Sequence, residues 1–557
     1  MAKRMIIDPI TRIEGHLRIE VEVDDSNVIR DAWSSITLWR GIETILKGRD
    51  PRDAGLMVQR FCGVCTYSHY EASILACEDA FKVKAPTNAR LIRNLMNASQ
   101  YLYDHIMHFY HLHGLDWVDI VSALSANPKK AVDLAMAYHP NPYNCSEGHY
   151  KAVQERLKKF VQSGRLGPFA NAYWGNPSYK LTPEANLVIT SHYLDALQVS
   201  KIGAQMQAIF GGKNPHPQSL VVGGVTSVMD AVDASRVAEY LFRLKEINTF
   251  IESAYIPDVL IAATYYKDEG LNGTGGGVKN YLCYGGFPLD DDWHKTLLPR
   301  GVVKNRDISK PLPLDENKIT EDVTRSWYQG SDNLHPYAGK TEPEYTGYDS
   351  SGHVRSDGKY SWCKAPRYDN EPYEVGPLAR FIVGYAQGHP EIKNLVDSTL
   401  KATGLPVTVL FSTLGRTAAR ALETKLMGDY TEKWVQELVS NVKGGDTRTW
   451  TRCEPPVSGQ GRGMVEVPRG ALGHWVRIEN KVISNYQAVV PSTWNCSPRD
   501  KAGKRGPYEE SLIGTKLANA DQPLEILRTI HSFDPCMACA VHIIRPSTGE
   551  VKKFKVA

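Results

Sequence analysis

Two Cys-x-x-Cys pairs stand near opposite ends of this chain, Cys62 with Cys65 and Cys536 with Cys539. Each pair lets two thiolates reach one metal from a single turn, and together they offer four soft sulfur ligands. Such a set suits zinc, an iron–sulfur cluster or another thiophilic metal, and the spacing alone does not choose among them. Structural zinc sites usually bring their pairs close in sequence. A site stitched from both ends of 557 residues would instead sit in the protein's centre. Arg60 and His69 accompany the first pair, Asp534 and His542 the second. The bland account of Arg60 and Asp534 is an ordinary buried ion pair, because buried charges need partners.

Something must carry the two pairs to one place. Leu17, Ile19, Val21 and Val23 alternate with charged residues, so the first 40 residues read as strands, turning at 24–27 into a second run over 28–36. Apolar residues at spacings of three and four predict a helix over 87–112. Its Asp104, His108 and His111 share one face, which by itself could bind metal. A further helix starts at Thr182-Pro183 and runs to about Phe210. Others are expected over 229–253, 377–402 and 414–443. Gly, Asp, Pro and Tyr dominate 265–375, which reads as long surface loops with short strands. Residues 472–491 look like a hairpin. The expected fold is α+β, mainly α, a large helix-bundle body with small peripheral sheets near both termini and a loop-rich middle.

Composition narrows the class. Hydrophobic residues at 42% and charged residues at 23% describe a globular chain with a sizeable core. A net charge of only +3 argues against a general nucleic-acid-binding role. No apolar run is long enough to span a membrane. Ten cysteines are too sparse for a disulfide framework. The N-terminus lacks a signal-peptide apolar region, so export would depend on a partner's signal.

With their flanks, Arg60 to His69 and Asp534 to His542, the two pairs resemble the signatures of the large subunit of nickel–iron hydrogenases. The resemblance spans the chain. It includes Asp8-Pro9-Ile10-Thr11-Arg12-Ile13-Glu14-Gly15-His16 and Gly211-Gly212-Lys213-Asn214-Pro215-His216-Pro217. Lys364 to Tyr368, Tyr373 to Leu378 and Pro468 to Trp475 match as well.

The resemblance implies reversible heterolytic cleavage of H2 at a nickel held by Cys62, Cys65, Cys536 and Cys539. Cys65 and Cys539 would bridge to an iron carrying carbon monoxide and two cyanides. Position 536 is cysteine, which excludes the family's selenocysteine variant. Cys536 would take the first proton and Glu14 would relay it. Arg469 would lie over the open metal position, to polarise hydrogen or to act as a base, held by Asp104 and Asp534. The histidines beside Asp104 become buried hydrogen-bonding groups. Ser492 would donate to an iron cyanide, with Pro468 lining the other side. Glu43, the Ala488 carbonyl and His542 would hold magnesium.

Residues 1–542 would form one catalytic domain. The extension 543–557, four basic residues against one acidic, would be removed by a maturation endopeptidase after nickel-insertion proteins had acted. The other six cysteines form no ferredoxin-type run, so electrons would leave through an iron–sulfur small subunit. That partner would carry both chains to the periplasmic side of the membrane and could pass electrons to a membrane cytochrome; a cytoplasmic relative is the alternative. Two other readings stand beside this one. One is a structural four-cysteine zinc protein. The other is the related non-catalytic quinone-site subunit of respiratory complex I, which lacks the four cysteines present here.

Overall fold

The computed structural model describes residues 3–164, 169, 172–227, 233–331, 333–355 and 357–540, the last two by backbone alone. Its centre is α2, Thr87–Met107. Every residue from Asn88 to Ile106 is buried, so this helix is enclosed on all sides. α3, Pro183–Gly211, lies along it, and so does α7, Thr413–Lys443. Thr182 caps α3, its hydroxyl accepting the Ala185 N–H with Pro183 at the first helical position.

The expected helix over 87–112 departs from α-geometry at its end, where His108–His113 form a π-helical turn. The wider turn lets His113 reach Asp116 and Trp117. The expected helix over 229–253 begins among residues outside the description. Its described part is α4, Ala234–Phe250, capped by Asp233 and continued by a π-helical turn to Tyr255. The single helix expected over 377–402 is two, α5 at Pro377–Ala386 and α6 at Pro390–Thr403. Gly388 is left-handed and Pro390 cannot donate, so the chain must break between them.

The sheets are small and separate. β1 (Lys3–Ile7), β2 (Leu17–Val23) and β3 (Ile29–Ile36) form an antiparallel sheet in that order. Within 265–375 the expectation of surface loops fails for one hairpin, β4 at Tyr281–Pro288 with β5 at Thr296–Val303. β4 is wholly buried. Buried on both faces, it lacks the polar alternation that marks a strand in sequence.

The expected hairpin over 472–491 is two strands of a three-stranded sheet, β6 (Ser458–Val467), β7 (Gly470–Glu479) and β8 (Val482–Val489). β6 opens with Gly459, Gly461 and Gly463 on one face, a stripe that hides the strand from an apolar-pattern reading. α1, Ser68–Phe81, lies against that stripe through Ala72, Ala76 and Ala80. A Cβ on Gly463 would collide with the Ala72 carbonyl, and one on Gly461 with the Ala76 carbonyl and the Ala80 nitrogen. α1 begins just after Cys65 and β6 ends just before Arg469, so this close packing sets one against the other.

Candidate metal centre

The last described segments close onto the first. Glu14 and Cys536 form a parallel bridge. The Met537 N–H donates to the Glu14 carbonyl at 2.8 Å, and the Ala538 N–H to Glu14 Oε2 at 2.8 Å. Gly15 is left-handed, and a Cβ there would stand 2.6 Å from the Ala538 nitrogen. Arg40 links both motifs, donating to the carbonyls of Phe61 and Ala538.

This closure brings Cys62, Cys65 and Cys536 together, all buried, with their sulfurs within 4.8 Å of one another. Cys62 Sγ lies 3.2 Å from Cys536 Sγ and accepts the N–H groups of Val64 and Cys65, each at 3.2 Å. The Cys539 side chain, all of His542 and the 543–557 extension lie outside the described residues. A small cavity of about 10 Å³ adjoins the sulfurs, lined by Cys65, Cys536, Ser492, Arg469 and apolar Leu472 and Val490 among others. Val467 also lines it, whereas Pro468 does not figure in that lining.

Around the sulfurs stand three kinds of polar group. Cys536 Sγ donates to Glu14 Oε2 at 3.2 Å. Burial and the charge of Cys62 push the Glu14 carboxyl up to about 7, against the pull of the Ala538 N–H and the Cys536 thiol. Arg469 lies 3.0 Å from Asp104 Oδ2 and 3.0 Å from Asp534 Oδ1, all three groups buried. Burial works against the Arg469 cation, but the two carboxylates outweigh it and hold the guanidinium protonated. Burial and the neighbouring Asp534 push Asp104 up to about 6. Arg60 is exposed, so the bland account of an Arg60–Asp534 ion pair does not hold; Asp534 pairs with Arg469 instead. Ser492 Oγ accepts the Cys536 N–H at 3.1 Å, which leaves its hydroxyl proton free to donate elsewhere.

Glu43 Oε1 accepts the Ala488 N–H at 2.9 Å, while Oε2 meets the Thr341 hydroxyl and lies 3.6 Å from Lys364 Nζ. His108 and His111 bond backbone carbonyls, of His531 and Tyr193. The structure adds a buried chain that the sequence reading missed. His69 Nδ1 lies 3.0 Å from His474 Nε2, and His474 Nδ1 lies 2.6 Å from the Tyr486 hydroxyl. Burial pushes His69 down to about 4 and His474 further, so both rings are neutral. A second cluster of ligand-type groups, His113, Asp116 and His531, is already satisfied internally. Arg12 lies 2.5 Å from Asp116 Oδ1, and the Trp117 N–H donates to His113 Nε2 at 2.8 Å.

The family model described as nickel-dependent hydrogenase matches residues 40–542, and one described as HoxL-like matches residues 4–37. The quinone-reactive Ni/Fe-hydrogenase large chain of Wolinella succinogenes is 53% identical, covering 100% of this chain and 98% of its own length. The uptake hydrogenase large subunit of Rhizobium leguminosarum bv. viciae is 48% identical, covering 100% and 97%. Among solved structures, the reduced Ni-Fe-Se hydrogenase of D. vulgaris Hildenborough superposes with a TM-score of 0.79 at 37% identity. It covers 97% of this chain and 100% of that one.

Proposed function

We propose, on the premise that this chain belongs to the nickel-dependent hydrogenase family as its catalytic large subunit, that H2 is cleaved at the Cys62–Cys65–Cys536 pocket. The observation that carries this reading is three convergent buried thiols, two of them lining one cavity with Arg469, a carboxyl on Cys536 and two carboxylates holding that guanidinium.

The donor set fits a nickel–iron centre: buried soft sulfurs beside an apolar cavity with few polar groups. Cys62, Cys65, Cys536 and Cys539 would hold it, the iron carrying carbon monoxide and two cyanides. When bound, the centre supplies the electrophile and electron sink for heterolytic cleavage. The chain's own groups do the rest. Cys536 takes the proton and passes it to Glu14, whose carboxyl is poised near neutrality and already in contact. Arg469, held as a cation, acts by polarising rather than as a base. Ser492 donates toward a cyanide. Val467, Leu472 and Val490 keep water out.

Glu43, the Ala488 carbonyl and His542 would hold magnesium; Glu43 already lies against the Ala488 backbone. We assign 543–557 as an extension removed on maturation, supported by the family match ending at residue 542. An endopeptidase and nickel-insertion proteins would act there. Apart from the two motif pairs, the cysteines are scattered, so electrons pass to an iron–sulfur small subunit. That subunit would export both chains to the periplasmic side and hand electrons to a membrane cytochrome; one relative is named quinone-reactive, which fits delivery of electrons to a quinone. No described helix is long and apolar enough to cross a membrane.

Infrared spectra of the purified protein, with nickel and iron quantified on the same sample and H2-dependent dye reduction assayed, test the proposal. Cyanide and carbonyl bands with one nickel per chain support it. Stoichiometric zinc and no bands would sink it.

A further inference from the structure

Arg380 is fully buried on α5 and uses every N–H it has. Nε donates to Glu423 Oε1 at 2.5 Å, and Nη2 to Glu423 Oε2 at 2.6 Å and to the Pro468 carbonyl at 3.0 Å. Nη1 donates to Glu466 Oε2 at 2.6 Å and to the Val467 carbonyl at 3.0 Å. Five donors make five bonds. The two carbonyls belong to the residues immediately before Arg469.

The other partner leads to the same place. Glu423 Oε2 also meets His105 Nε2 at 2.8 Å, and His105 follows Asp104, the carboxylate that holds Arg469. One guanidinium therefore ties both ends of the Arg469–Asp104 pair. The backbone at the start of α5 joins in. Gly376 and Gly470 both have positive φ, and a Cβ on Gly470 would stand 2.6 Å from the Gly376 nitrogen. The Val375 carbonyl accepts from Asn495 Nδ2 at 2.9 Å, on the short helix that carries Ser492.

We propose that Arg380 is a positioning residue for H2 cleavage: it fixes the Val467–Pro468 turn, and with it the Arg469 guanidinium over the cavity. The inference rests on the reading of Arg469 given above. A planar fork is required, because a lysine ammonium is one point with three donors and cannot span two carboxylates and two carbonyls.

The test is a double-mutant cycle of Arg380→Lys and Arg469→Lys in the complete enzyme, with a crystal structure of each variant. In Arg380→Lys the Arg469 guanidinium moves by about 1 Å or more away from Asp104, and H2-oxidation kcat falls by about ten-fold or more. Nickel, iron and the carbonyl and cyanide bands persist. In the Arg469→Lys background the same change costs less than about two-fold, because the group being positioned is already gone. Glu423→Gln keeps side-chain volume and shifts Arg469 in the same sense, should the lysine variant fold poorly. An unmoved Arg469 overturns the inference, as does an equal fold-loss in both backgrounds or a loss that merely tracks metal content. The position of Arg469 is read whether or not the wild type turns over hydrogen. A wild type without turnover therefore counts against the functional reading, and an unmoved Arg469 against this one.

Discussion

Glu14 Oε2 receives two donors, the Cys536 thiol and the Ala538 N–H. Glu14→Gln keeps an acceptor oxygen for that N–H but cannot carry a proton away. Hydrogen–deuterium exchange under H2 is expected to fall by about 10²–10⁴ while nickel and iron stay stoichiometric; unchanged exchange would remove Glu14 from the relay. Ser492→Ala leaves the Cys536 N–H without its acceptor, at a cost of about 1 kcal/mol. It is also expected to shift a cyanide stretch, and identical spectra would count against the donor role. The cysteines, Glu14 and Arg469 were legible because each belongs to a sequence motif. Arg40 and Arg380 were not, since a lone arginine announces no partner. The only hint at Arg380 is a charge set in the apolar run Phe381-Ile382-Val383.

At the scale of elements, α1 on β6 is the joint that fixes Cys65 relative to Arg469. Gly463→Ala must push the helix off the strand, because the obstacle is the Ala72 carbonyl rather than a mobile side chain. A loss of about 1–3 kcal/mol, read as lowered Tm, is expected together with reduced nickel occupancy. Wild-type stability would show that the strand yields instead. The glycines that make the joint are also why β6 escaped the sequence reading. The hairpin of β4 and β5 escaped for the opposite reason, since a strand buried on both faces carries no alternation.

At the scale of the molecule, buried carboxyls make stability depend on pH. Burial, with Glu78 nearby, pushes Glu71 up to about 8 despite Arg93. The folded chain then holds a proton that the unfolded chain releases between about 4.3 and 8. Stability from this group is greatest at low pH and is lost as pH rises through that window. Asn97 Nδ2 donates to Glu71 Oε2 at 3.2 Å, and Asn97 Oδ1, which lacks a hydrogen-bond partner, could be met by an amide. Glu71→Gln is therefore expected to raise Tm by about 1–3 °C at pH 8, with the gap closing near pH 5. An equal gap at both values would refute it.

The sequence by itself determined the four soft sulfur ligands and most of the long helices, because cysteine spacing and apolar periodicity are local, and it pointed to the family through the resemblance of whole motifs. It also gave Asp104 and Asp534 as the holders of Arg469, but only through resemblance. The tertiary structure decided what depends on distant segments meeting. It pairs Asp534 with Arg469 rather than Arg60, and lays Glu14 against Cys536 across the chain's two ends. It buries two guanidinium groups, Arg380 and Arg469, against backbone and carboxylate, and sets the half-buried Arg40 on the carbonyls of both motifs. Such contacts follow from a buried charge's need for a partner, and which partner lies within reach is settled only when the chain closes.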